Sequence, residues 1–106
     1  MTQTSALRDF EFLDRARLEE RACRSLTTRD FSSGLAPLCR LLLTLEPQDP
    51  ERGVVLACLA VVYSRTGRSE DAERALGNAE SAAKGARAIG AVRLARAELQ
   101  SSASSG

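Results

Sequence analysis

The residues of this chain best equipped for chemistry are its three cysteines, Cys23, Cys39 and Cys58. They stand in RACRSL, PLCRLLL and VLACLAV, widely spaced and with no CxxC pair among them. A thiolate becomes a good nucleophile when a base or cation lowers its pKa, and a structural zinc site needs four ligands. The sequence contains no histidine, so the usual activating base and the usual additional ligand are both missing. Three free thiols packed as small apolar residues in a reducing compartment are therefore expected. The acid pairs Glu19–Glu20 and Glu70–Asp71 are adjacent in sequence, so on a helix they do not converge on one point. Gly85 and Gly90 form no GxGxxG phosphate loop and follow no strand pattern. From Lys84 to Leu99, Lys84, Arg87, Arg93 and Arg96 stand against Glu98, but no aromatic residue is interleaved to stack on a base. The expectation is a protein that is not an enzyme, holds no cofactor or metal, and binds neither nucleic acid nor membrane.

Composition says what must carry these residues. The chain has 106 residues, 43% apolar, with 17 alanines and a net charge of +1. One domain is expected at this length, because two cores would each be too small to fold alone. Alanine is the best helix former, and β-branched residues are few, so the fold class is all-α. The N-terminus MTQTSALRDF shows no basic start followed by an apolar run, so no signal peptide is read. The longest apolar run, Val54–Tyr63, is ten residues, about half of what a bilayer requires. A cytoplasmic protein is expected.

Periodicity places the helices. Leu7, Phe10, Leu13, Leu18, Ala22 and Leu26 form one stripe over residues 6–28. TTRDFSS interrupts it, and Ser32 or Ser33 is expected to cap a second helix carrying Leu35, Leu38, Cys39, Leu41, Leu42 and Leu45. Pro37 fits that helix only in its first turn. EPQDPE ends it, since each proline disfavours helix in the residue before. A third helix, residues 51–65, contains GVVLACLAVVY and must be buried nearly all round. Gly67 is expected as its left-handed terminator and Ser69 as the cap of the next helix. Residues 69–100 form one long helix or two. Residues 1–5 and 101–106 are expected to fray around a single domain of residues 6–100.

The turns around RDF (29–31) and TGRS (66–69) recur about 36 residues apart, which is the signature of a helical solenoid. In the second unit Leu56, Leu59, Ala60, Tyr63, Gly67, Ala72, Leu76 and Ala79 appear in order. With these residues the unit resembles a tetratricopeptide repeat. The first unit fits more loosely through Leu18, Ala22, Leu26, Gly34, Leu38 and Leu41, and LEPQDPE resembles the linker of that family. Lys84 stands where a closing proline would be, and no third full repeat follows. The resemblance covers residues 15–84 and implies two helix–turn–helix repeats with residues 85–100 as a C-terminal capping helix.

It further implies a binding scaffold whose concave face presents Ala16, Glu19, Glu20, Cys23 and Leu26, then Val54, Ala57, Cys58, Val61 and Arg65. Either the second set is core, covered by the chain itself, or it is a groove that takes an amphipathic helix or peptide of a partner protein. A two-repeat solenoid has little material to cover an all-apolar helix, which favours the groove. Glu19, Glu20, Cys23 and Cys58 replace the Lys and Asn of the chaperone-tail-binding subclass, so that specificity is not expected. The layout is similar to small chaperones of bacterial type III secretion, implying a chaperone or assembly adaptor in a hetero-complex. The alternative is a structural module that self-associates as a homodimer through the apolar helix and the alanine-rich C-terminal stretch.

Overall fold

The computed structural model describes residues 17–105. The expectations for Ala16, for residues 1–5 and for a helix beginning at Ala6 lie outside the described residues. Those described are helical with short turns between, and the class is all-α. Helix α1 covers residues 17–28. A 3-10 turn, Phe31–Gly34, leads into α2, Leu35–Thr44, and α3 is Glu51–Arg65. Helices α4, Ser69–Ala82, and α5, Gly85–Ser105, complete the chain order.

The interhelical breaks follow from local chemistry. Gly67 has φ +84° after α3. There the Arg68 N–H donates to the Tyr63 carbonyl at 2.8 Å and the Gly67 N–H to the Ser64 carbonyl at 3.3 Å. These two bonds make a Schellman motif, which satisfies carbonyls that the helix end would leave open. At the other end of α3 the Glu51 N–H donates to Asp49 Oδ1 at 2.9 Å. The question over residues 69–100 resolves as two helices: Ala83 is extended, with ψ 117°, and Gly85 is left-handed, with φ +84°. α5 then continues through residues 101–105, past the expected limit at 100, with no proline or glycine to stop it before Gly106.

Two local expectations are corrected. Neither Ser32 nor Ser33 caps α2, because the 3-10 turn runs straight into it. The Ser33 hydroxyl donates instead to the Asp30 carbonyl at 2.8 Å. Ser69 is the first residue of α4 and makes no cap bond; the Arg68 carbonyl accepts from the Ala72 N–H at 2.9 Å. Arg29, with φ 64°, supplies the left-handed turn after α1. Gly34 is buried five residues later, as Ala72 is buried five residues after Gly67. A Cβ added to Gly34 would lie 2.1 Å from Ser25 Oγ, so the close approach, not the dihedral, requires glycine.

Helix α3 sits at the centre. It packs most extensively on α4, next on α5, then on α2. Val55, Leu56, Ala57, Leu59, Ala60 and Val62 are all buried, as an all-apolar helix demands. Small residues allow the close packing: Ala60 and Ala79 are fully enclosed, and Ala72 is 1% exposed. Ala88, Val92 and Ala95 form the buried face of α5. An added Cβ at Gly53 would come within 3.2 Å of the Ala83 backbone and 3.3 Å of Ala88. Ion pairs flank this contact: Arg87 with Glu51 at 2.6 Å, Arg96 with Glu80 at 2.8 Å, and Arg65 with Glu98. Two of the four C-terminal cations thus hold α5 against its neighbours.

Candidate partner-binding groove

Between α1, α3 and the start of α5 lies a cavity of about 310 Å³. Ala22 and Leu26 line it from α1, Leu38 and Leu41 from α2, and Val54 and Val55 from α3. Glu19, Cys23, Cys58, Glu51 and Arg87 complete the lining. The wall is therefore apolar, with charge at the edge. Spacing accounts for it: Glu19, Cys23 and Leu26 recur at four and three residues on α1, and Val54 and Cys58 at four on α3.

Five of the ten expected groove residues meet in this cavity: Glu19, Cys23, Leu26, Val54 and Cys58. Glu20 points to solvent and accepts from Arg24 at 3.0 Å. Val61 is half-buried and packs on the core. Arg65 is engaged with Glu98 and lies 5.9 Å from the centre of the Phe31 ring. Ala57 is the clear correction: it is 1% exposed and lies in the core. It stands one turn beyond Gly53, where the Ala82–Ala83 end of α4 and Ala88 of α5 close on α3, so the chain itself occupies that part of the face.

The thiols also depart from expectation. Cys23 is exposed, while Cys39 and Cys58 are half-buried; all three are free. Burial is the main cause raising the Cys58 thiol to about 11; Cys23 and Glu51 add to it and Arg87 opposes it. Cys58 is therefore a neutral thiol near pH 7. Among the described residues no group of three or more Cys, Asp and Glu is placed to hold a metal ion. No described helix is long and apolar enough to cross a membrane.

Sequence reasoning missed Glu51 and Arg87. The start of α5 at Gly85 was legible, but their pairing across the cavity edge depends on how α5 packs against the start of α3, which no local pattern encodes. Compared with models of known families, with curated proteins and with solved structures, the chain gives no match.

Proposed function

We propose that this protein is a tetratricopeptide-like adaptor or chaperone that holds a helical segment of a partner protein in the α1–α3 groove. The observation that carries the reading is the apolar cavity of about 310 Å³, edged by Glu19, Glu51 and Arg87. Its volume is at the small end of the usual range for ligand pockets, roughly 300–1,000 Å³. Such a space suits the leading apolar side chains of a docked helix better than a whole cofactor. In this reading Val54 and Leu26 contact the partner's apolar stripe, and the edge charges select its flanking polar residues. The left-handed turns at Arg29 and Gly67, with buried Gly34 and Ala72 five residues on, support two repeated units. A cytoplasmic chaperone of bacterial type III secretion is one protein of this kind.

The test is a single substitution in the cavity wall. Val54→Glu places a carboxylate where an apolar side chain is to dock, at a half-buried position from which it reaches water. Partners recovered from the native host by the wild-type chain are to be identified, and the bound segment titrated as a synthetic peptide. Loss of peptide binding by Val54→Glu, with a near-normal melt, is the expected result. Unchanged affinity removes the groove as the binding site. A second reading has its own observation: Leu94 is 72% exposed on α5, a large apolar side chain through which two copies could pair. Sedimentation of the pure protein separates the two, since only self-association through α5 gives a dimer without a partner.

A further inference from the structure

Two cysteines line one cavity. Cys23 comes from α1 and Cys58 from α3, and both line the space that Leu26 and Val54 also line. Cys39 is not among the lining residues; it is on α2. The pair is asymmetric. Cys23 is exposed, so an oxidant reaches it first, whereas Cys58 is half-buried.

We propose that a peroxide converts Cys23 and Cys58 into a disulfide that spans the cavity and ties α1 to α3. The Cys23 thiolate attacks a peroxide oxygen; an S–O bond forms, the O–O bond breaks, and hydroxide leaves. Cys58, on losing its proton, then attacks the sulfenic sulfur; the S–S bond forms and the S–O bond breaks, releasing a second hydroxide. The two thiol protons convert both hydroxides to water. Two electrons pass from the thiols to the peroxide. Arg87 and Glu51, at the edge of the same cavity, act on the second step in opposite directions, Arg87 favouring the Cys58 thiolate and Glu51 opposing it.

The bridge fills the middle of the groove and joins its two walls, so oxidation closes it to a partner. That consequence rests on the groove reading, whereas formation of the bond does not. The test therefore reads the bond by itself. Each cysteine lies on its own tryptic peptide, residues 22–24, 30–40 and 53–65. The full-length protein is treated with hydrogen peroxide at mildly alkaline pH, blocked with iodoacetamide, digested without reductant and mapped by mass spectrometry. A linked 22–24/53–65 species is expected, lost in Cys23→Ser and retained in Cys39→Ser. The melt of the oxidised protein should rise by several degrees and return on reduction. A linkage that includes Cys39, a disulfide between two chains, or over-oxidised Cys23 with free Cys58 overturns the proposal. So does a Cys23–Cys58 bond whose reduction leaves the melt unchanged, since it would not tie the helices. If the bond forms and the peptide binds the oxidised protein equally well, the groove reading fails and the disulfide stands.

Discussion

Substituting Ala57 by glutamate separates a residue covered by its own chain from one that waits for a partner. Ala57 is 1% exposed, one turn beyond Gly53, where the end of α4 and Ala88 of α5 close on α3. A carboxyl there must either carry its charge in the core or take up a proton. Protonating a glutamate of ordinary pKa about 4.3 at pH 7 costs ~1.4 kcal/mol per pH unit, hence about 3.7 kcal/mol. Forcing the longer side chain between packed helices adds about 1–3 kcal/mol. The sum, about 5–7 kcal/mol, rivals the whole stability of an ordinary domain, about 5–15 kcal/mol. The isolated Ala57→Glu protein should therefore be largely unfolded or melt far below the wild type at pH 7. The pH dependence has a definite sign. Folding raises the pKa of this carboxyl, so the folded state binds more protons than the unfolded one above pH 4. Its stability relative to the wild type rises as pH falls toward 4.5, where only the steric cost remains. Ala57→Gln should show the steric part and no such pH dependence. Circular-dichroism melts of both variants at pH 4.5 and 7 supply the comparison. A melt of Ala57→Glu at pH 7 within a few tenths of a kcal/mol of wild type would refute the covering of α3 by α5.

Enlarging the alanines of the α3–α4 packing, Ala60→Leu and Ala72→Leu, should each cost on the order of 1–3 kcal/mol in denaturant unfolding. Glycine-to-alanine changes at two helical positions should differ in effect. Gly77→Ala meets nothing within 4 Å and should stabilise by about 0.5–1 kcal/mol, whereas Gly53→Ala should lose that gain against Ala83 and Ala88. Matched urea melts test the pair. Raising the Cys58 thiol from 9.0 to about 11 makes the folded state retain a proton that the unfolded chain loses in that interval. The resulting stability is present below pH 9 and disappears as pH rises through about 11, so the wild-type advantage over Cys58→Ala should shrink across that window.

Helix α3 was legible in the sequence to its ends, because prolines stand before it and Gly67 after it, and its unbroken apolar run demanded burial. Half of the groove was legible for a related reason: Glu19, Cys23 and Leu26 share a face by helical spacing alone. Ala57 has that spacing too, but its environment depends on a helix that starts about 28 residues later. No local pattern encodes which helix covers which stripe. The exposure of Cys23 was missed similarly, since RACRSL reads as an amphipathic helix whether the thiol is at its buried centre or its margin. The role of Gly34 was hidden by its position in a turn-like stretch, where glycine ordinarily signals a dihedral. The structure shows a steric need set by Ser25, a residue of the preceding helix.

The covering of α3 by α5 has a consequence for the chain during its own synthesis. The apolar run Val54–Tyr63 leaves the ribosome before the residues that will enclose it, Ala88, Val92 and Ala95, have emerged. At about 5–20 residues per second, the lag of roughly 30 residues lasts about 2–6 seconds. Helices α1, α2 and α4 can shield three sides in that time, but the stripe through Gly53 and Ala57 remains bare. The nascent protein thus passes through a stage that displays a larger sticky surface than the finished one. A ribosome-associated holdase would meet its best target there, and a chain truncated before Ala88 would never lose it.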